Sequence, residues 1–230
     1  DSEIHKEIMS LKGADAYIYV NDLLPKYIEK SKPYVICYGA YEAKDVLSLQ
    51  KSCEKKRIVY AGLITEKEDS DIYLAVNSMK HLDSSYSLSI LGYGADIALK
   101  KLKKYIIDNN LNENIAYEGF LKGDEYINFL KKCDFAINPR VLSDSHSDYT
   151  FPSKVLAYLS VGLPVVSTPI RCIKESKVSE LVSFSESTDV VSFSNAIKSL
   201  NLDSNPISKI VSLDKAFIND LRRLLENVAG

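Results

Sequence analysis

The most informative stretch of the sequence reads Phe151-Pro152-Ser153-Lys154-Val155-Leu156-Ala157-Tyr158-Leu159-Ser160-Val161-Gly162-Leu163-Pro164-Val165-Val166-Ser167-Thr168. It predicts a helix over residues 155–161 that is apolar nearly all round, as is typical of a helix packed against a sheet. Gly162 ends this helix, and Pro164 opens a strand of β-branched residues. A buried helix that leads through a glycine turn into a buried strand indicates an α/β protein.

Short β-branched and aromatic runs recur along the chain and alternate with stretches in which apolar residues have helical spacing. Most runs are continuously apolar, which is typical of strands covered by helices on both faces. The alternation therefore predicts a parallel, doubly wound sheet. The runs span residues 16–20, 34–38, 57–61, 88–91, 115–117, 134–138, 164–167 and 180–183.

The predicted elements divide the chain unevenly. Residues 42–56 are polar and rich in lysine, the composition of a linker. Residues 1–41 hold only two predicted strands, too few for an ordinary domain, whereas residues 57–205 hold six, enough for a complete sheet. Residues 206–230 repeat apolar side chains at helical spacing, so we expect a terminal helix that crosses back onto the N-terminal part.

Composition excludes several classes of function. Basic and acidic residues number 29 and 31, a net charge of −2, so no overall field favours nucleic acid. The four cysteines form no CxxC pair, so no metal site is expected. Without a membrane-length apolar run, the chain is predicted to be cytoplasmic. Weak peripheral contact with the inner face of the membrane stays open, because one predicted helix carries Lys100, Lys101, Lys103 and Lys104.

The loop from Asn138 to Lys154 is long and polar for a connection in an α/β sheet, which favours a functional role. Thr150 is a candidate N-cap, and the free amides around Phe151, Ser153 and Lys154 would attract an anion. Arg140 and Lys154 would add positive charge toward a diphosphate. The same loop contains His146.

Three other loops at the same sheet edge contribute candidates. Gly62 lets the backbone approach a ligand, and Lys67 follows within reach of a phosphate. Gly92 begins a GxG that lacks the third glycine of a dinucleotide fingerprint, which disfavours a nicotinamide cofactor. Phe120 would stack on a base if exposed, although burial is the commoner fate of a phenylalanine. Asp124 is a candidate N-cap of the next helix.

Residues 151–168 resemble the donor-site signature of GT-B fold glycosyltransferases of the group 1, or family 4, type. Tyr60-Ala61-Gly62 and Leu91-Gly92-Tyr93-Gly94 are similar to the first two strands of that family's C-terminal domain. Tyr117-Glu118-Gly119-Phe120-Leu121 is similar to the segment that meets the nucleobase. The resemblance implies a Rossmann-like donor-binding domain preceded by a remnant of the N-terminal domain.

The resemblance also assigns site residues. The donor diphosphate would contact Gly62, Lys67, Arg140, Thr150, Phe151, Ser153 and Lys154. The donor sugar or base would contact Gly92, Phe120, His146, Asp148 and Tyr149. The paired glutamates of the family fall on Tyr149 and Ala157, and its phosphate-loop arginine falls on Leu63, so this chain departs from the pattern at three positions.

The implied function is transfer of a hexose-type sugar from a nucleotide-diphosphate sugar to a glycan or lipid-linked acceptor, in polysaccharide biosynthesis. No metal or other cofactor is expected, and the chain alone would bind the donor better than it transfers sugar. Two alternatives stay open. A sugar-nucleotide 2-epimerase would use Asp144, His146 and Asp148 as acid/base groups, and a non-catalytic nucleotide-sugar-binding or scaffold subunit would account for Tyr149 and Ala157.

Overall fold

The computed structural model describes residues 13–26, 32–39, 43, 55–141, 150–202 and 205–229. The described strands form a parallel six-stranded sheet and a parallel two-stranded sheet. The strands are β1 (Tyr17–Tyr19), β2 (Tyr34–Ile36), β3 (Lys56–Leu63), β4 (Tyr86–Tyr93), β5 (Ile115–Gly119), β6 (Phe135–Asn138), β7 (Val165–Ser167) and β8 (Val182–Phe184).

Seven α-helices connect or follow these strands within the described ranges. They are α1 (Asp71–Ser78), α2 (Asp96–Asp108), α3 (Gly123–Leu130), α4 (Ser153–Ser160), α5 (Arg171–Lys174), α6 (Val190–Lys198) and α7 (Ile207–Ala229). Among the helices that the structure describes, none is both long and apolar enough to cross a membrane.

The six-stranded sheet is buried on both faces, which confirms the fold class predicted from the continuous apolar runs. Neighbouring residues in one strand belong to different core clusters: Phe135 and Ile137 face one cluster, and Ala136 faces the other. Helices α1, α2 and α6 cover the first face, and α3, α4, α5 and α7 cover the second. A side-chain period of two places successive residues of a strand on opposite faces, so both must be apolar.

The strand order is β5-β4-β3-β6-β7-β8. From β3 to β5 each new strand is added on one side of β3, and from β6 onward each is added on the other side, so the switch point lies between β3 and β6. There β3 pairs with β6 at Ile58 and Val59, whereas its pairing with β4 continues to Leu63. The N–H of Ala61 instead donates to the Tyr158 hydroxyl on α4, at 2.9 Å. The carboxyl ends of β3 and β6 therefore diverge, and ligands of open α/β sheets bind at such a switch point.

The two-stranded sheet contacts the rest of the described chain through its loops and through α7. The ring of Tyr38, just after β2, stacks on Phe151 with centroids 4.8 Å apart, and its hydroxyl accepts from the Lys177 amide at 2.9 Å. Helix α7 packs against β2 and α4 and buries Ile210 and Leu213. The domain boundaries given above stay predictions.

Two local predictions are wrong. Asp124 is not an N-cap: the N-cap position of α3 is Lys122, whose side chain makes no capping hydrogen bond, and Asp124 lies in the first turn, where a carboxylate still suits the helix dipole. The last strand begins later than predicted, because Glu180 and Leu181 belong to a 3₁₀ turn before β8.

Candidate functional site

A cavity of about 520 Å³ opens over the diverging carboxyl ends of β3 and β6. Its walls come from the ends of these strands, from the beginning of α1 and from the beginning of α4. The described lining residues are Tyr60, Ala61, Gly62, Leu63, Thr65, Lys67, Asp69, Ser70, Asp71, Ile137, Asn138, Pro139, Arg140, Val141, Thr150, Phe151, Pro152, Ser153 and Lys154. The structure thus brings together the seven residues predicted for the donor diphosphate. We call this volume the polar half of the cleft.

Three cationic side chains line the polar half: Lys67, Arg140 and Lys154. Partial burial lowers the pKa of the Lys154 ammonium, an effect that nearby Asp71 opposes and the neighbouring Arg140 reinforces. Two cations held close together in a partly desolvated cleft repel each other, and an anion between them relieves that repulsion. The polar half therefore concentrates positive charge at the carboxyl edge of the sheet.

A carboxylate that sequence reasoning missed lies among these cations. Asp71 is the first residue of α1 and accepts a hydrogen bond from the Val141 amide at 2.8 Å. Burial raises the pKa of Asp71, while the Val141 hydrogen bond, Arg140 and Lys154 lower it. Burial and the Asp71 charge together raise the pKa of the Tyr60 hydroxyl, so Tyr60 stays neutral.

The described segment 138–141, which carries Arg140, is held by hydrogen bonds to Thr168 and within itself. The Asn138 carbonyl accepts from the Arg140 amide at 2.9 Å and from the Thr168 amide at 3.2 Å. The Thr168 hydroxyl donates to the Arg140 carbonyl at 2.7 Å. Thr168 is fully buried, so this segment is anchored to the exit of β7.

The start of α4 faces both strand ends. The helix begins at Ser153 and its N-cap position is Pro152, so the N-cap prediction for Thr150 is wrong. Thr150 lies two residues too early, where its carbonyl accepts from the Cys172 thiol at 3.2 Å. The first amides of a helix have no partner within it, and those of α4 lie at the cavity that Ser153 and Lys154 line.

Gly62 is also required by close contacts within the protein. A Cβ at this position would collide with the Tyr60 hydroxyl, so the space beside the glycine is filled by the protein itself. Gly62 pairs with Gly92 across β3 and β4, and a Cβ on Gly92 would collide with the Gly62 carbonyl. These glycines allow close approach between two strands, in addition to any approach by a ligand.

A second cavity, of about 370 Å³, adjoins the first. We call it the apolar half of the cleft. Its described lining residues are Ala61, Gly62, Leu91, Gly92, Tyr93, Phe120, Leu121, Tyr126, Ser153, Lys154 and Ala157. Phe120 is 53% exposed, contrary to the commoner fate of a phenylalanine, and meets the 58%-exposed Tyr93 edge-on at 5.1 Å. Two exposed rings at the mouth of an apolar cavity suit a flat aromatic ligand.

The remaining predicted site residues, His146, Asp148 and Tyr149, lie outside the described residues, as does Asp144. Within the described part of the chain, no group of three or more histidine, cysteine or acidic side chains is arranged to hold a metal ion.

Sequence reasoning missed Asp71, Tyr93 and Thr168. Tyr93 had an available signal, because it lies inside the quoted GxG at a strand end. Asp71 and Thr168 had none, because each acts on a backbone group that is remote in sequence.

A parallel sheet covered by helices on both faces, with a cavity at its switch point, defines the class of doubly wound α/β domains. The particular family follows from comparison with known proteins: the family described as glycosyl transferases group 1 matches residues 55–203. This chain belongs to that family. The amylovoran biosynthesis glycosyltransferase AmsK of Erwinia amylovora is 28% identical over 120 residues, which cover 52% of this chain and 29% of AmsK.

Solved structures with the same fold are GT-B glycosyltransferases. The sucrose-phosphate synthase of Thermosynechococcus elongatus superposes with a TM-score of 0.74 at 14% identity, covering 99% of this chain and 61% of the synthase. Anabaena HepE, in complex with UDP, superposes with a TM-score of 0.66 at 10% identity, covering 99% of this chain and 67% of HepE. This chain therefore spans only part of the length of these relatives.

Proposed function

We propose that this chain is the donor-binding part of a glycosyltransferase that transfers a hexose-type sugar from a nucleotide-diphosphate sugar to a glycan or lipid-linked acceptor in polysaccharide assembly. The observation that carries the proposal is the division of the cleft: a cavity with three cations adjoins an apolar cavity with two exposed rings. A nucleoside diphosphate is an anion joined to a flat aromatic base, so its two chemistries match the two halves.

The polar half supplies the chemistry that glycosyl transfer needs at the leaving group. When the bond between the anomeric carbon and the diphosphate oxygen breaks, the electron pair stays on that oxygen and its negative charge increases. Arg140, Lys154 and the first amides of α4 would stabilise this charge. The acceptor hydroxyl oxygen forms the new bond to the anomeric carbon, and its proton passes to water.

Names of relatives support the nucleotide and the pathway class. The HepE structure is a complex with UDP, and AmsK is named as a glycosyltransferase of amylovoran biosynthesis. UDP is therefore the first nucleotide to test.

The experiment is isothermal titration of the purified chain with UDP, GDP, ADP and uridine, alongside thermal unfolding in the same ligands. We expect one nucleoside diphosphate to bind more tightly than its nucleoside. At a free concentration a hundredfold above Kd it should raise the free energy of unfolding by about 2.7 kcal/mol, so the unfolding midpoint should rise with ligand concentration. A control variant is Lys104→Ala, which removes an exposed lysine of α2 that pairs with Asp108 and should bind the diphosphate as the parent chain does.

Two results would contradict the proposal. If none of the diphosphates binds, the cleft is not a nucleotide site and a scaffold role is favoured. If a nucleotide-linked N-acetylhexosamine binds and is converted to its C2 epimer, the epimerase reading replaces glycosyl transfer.

A further inference from the structure

The backbone of Arg140 and Val141 is hydrogen-bonded to side chains from two parts of the chain that are far apart in sequence. The Asp71 carboxylate at the start of α1 accepts from the Val141 amide at 2.8 Å. From the other side, the Thr168 hydroxyl after β7 donates to the Arg140 carbonyl at 2.7 Å. The Arg140 carbonyl and the Val141 amide belong to the same peptide unit, so the two contacts hold the Arg140–Val141 peptide by both of its polar groups.

A carboxylate is an unexpected neighbour for an anion site. Asp71 lines the polar half together with Arg140 and Lys154, and its negative charge would by itself repel a diphosphate. Burial also raises the pKa of Asp71, which means that the ionised form of this carboxyl is less stable in the folded protein than in water. Arg140 and Lys154 favour the charge on Asp71 but do not offset its burial, and the hydrogen bond from the Val141 amide gives this carboxylate a structural role as well.

We infer that Asp71 and Thr168 are positioning residues of the donor site, which clamp the Arg140–Val141 backbone so that the Arg140 side chain starts from a fixed position in the polar half. The inference rests on the proposed function, because it assumes that Arg140 meets a diphosphate. A loop ordered during folding loses no backbone entropy when the ligand binds, so the clamp strengthens binding without touching the ligand.

The first test compares Asp71→Ala with Asp71→Asn in calorimetric titration with UDP. Asparagine keeps an acceptor oxygen for the Val141 amide, whereas alanine does not. We expect Asp71→Ala to bind UDP about tenfold more weakly and Asp71→Asn to bind at least as tightly as the parent. If Asp71 acted only through its charge, both variants would bind UDP more tightly, and that result would overturn the inference.

The second test examines the other side of the clamp. Thr168→Val removes the hydroxyl with little change in shape, and Thr168→Ser retains it. We expect the valine variant to bind UDP several-fold more weakly and the serine variant to bind like the parent. Equal UDP affinity of the two variants would remove Thr168 from the clamp. For the Asp71 variants of the first test, Asp69→Asn is the control, because it removes a negative charge at the rim of the same cavity.

A measurement without ligand separates this inference from the proposed function. Hydrogen exchange of the Val141 amide should be slow in the parent chain and in Asp71→Asn, and fast in Asp71→Ala. If the parent binds no nucleotide, the proposed function fails whatever the exchange shows. If the parent binds UDP but Asp71→Ala matches it in affinity and in Val141 exchange, the clamp fails alone.

Discussion

The two halves of the cleft share a wall but differ in chemistry. Ala61, Gly62, Ser153 and Lys154 border both cavities. Beyond that wall, the polar half is lined by cations and by Asp71, whereas no carboxylate occurs among the described residues that line the apolar half. Gly62 and the start of α4 therefore border two cavities of different chemistry, and the strand ends that supply the other walls set that difference.

The difference follows from the sheet topology. The ends of β3 and β6 and the loops after them, on the two sides of the switch point, supply most of the polar half. The end of β4 and the loop after β5 line the outer side of the apolar half with Leu91, Gly92, Tyr93, Phe120 and Leu121. At the boundary, β3 and β4 are held together at the Gly62–Gly92 pair. Variants that act on the boundary should affect both halves, and variants within one half should affect only one part of a nucleotide.

The largest effect is expected from Gly92→Ala. Gly92 has φ +151°, which L-residues rarely adopt, and an added Cβ would collide with the Gly62 carbonyl on the neighbouring strand. We expect a loss of roughly 3 kcal/mol in the free energy of unfolding, measured by urea denaturation followed by circular dichroism.

The control for Gly92→Ala is Gly119→Ala. Gly119 also has a positive φ, +87°, but a Cβ there would meet no atom within 4 Å, so this variant should lose only about 1 kcal/mol. Equal losses in the two variants would mean that the close approach of β3 and β4 contributes nothing to the boundary.

The next largest effect is expected within the polar half. Arg140→Ala or Lys154→Ala removes a cation from a partly desolvated anion site, and each should weaken UDP binding by about tenfold or more. Uridine, which has no phosphate, should bind Arg140→Ala as it binds the parent, whereas Lys154 also lines the apolar half and Lys154→Ala is compared for UDP alone. Calorimetry with both ligands makes the comparison, and an equal loss of uridine affinity would show that the two halves are not separate sites.

Much of the fold could be predicted because its pattern is local and redundant. Continuous apolar runs such as 134–138 identified strands buried on both faces, and Gly162 ended a helix where the structure ends it, with φ +84°. Strand and helix limits were less predictable. Leu181 looks like part of a strand but belongs to a 3₁₀ turn, because hydrogen bonding to β7 rather than apolar character sets where β8 begins.

The candidate site was predictable only where the signal lay within one loop. Arg140, Ser153 and Lys154 were identified from a polar loop that leads into a helix start, and they do line one cavity. Asp71 was missed because its partner, the Val141 amide, is 70 residues away along the chain. A contact to a backbone group leaves no requirement on the identity of the partner side chain, so the sequence contains no matching residue to find.

A smaller effect is expected within the apolar half. Phe120→Ala removes one of the two exposed rings, and loss of stacking on a base should weaken uridine and UDP binding alike, by about 1 kcal/mol. The control is Ile97→Ala, which removes a 61%-exposed apolar side chain that is not among the lining residues of either half. A change in the ratio of UDP to uridine affinity in Phe120→Ala would assign this ring to the phosphate side instead.

The smallest effect is the pH dependence of stability that Asp71 contributes to the polar half. Burial raises the pKa of Asp71 in the folded chain, whereas the pKa of an aspartate in the unfolded chain is about 3.9. Between these two values the folded chain binds more protons than the unfolded chain, so the free energy of unfolding falls as pH rises and levels off above the folded pKa.

Asparagine does not titrate in this range, and other carboxylates titrate alike in both proteins. The stability of the parent relative to Asp71→Asn should therefore be greatest at the lowest pH at which both remain folded and should decline toward neutral pH. Urea denaturation of both proteins across this range measures the difference, and a relative stability that rises with pH would mean that Arg140 and Lys154 outweigh burial at this carboxylate.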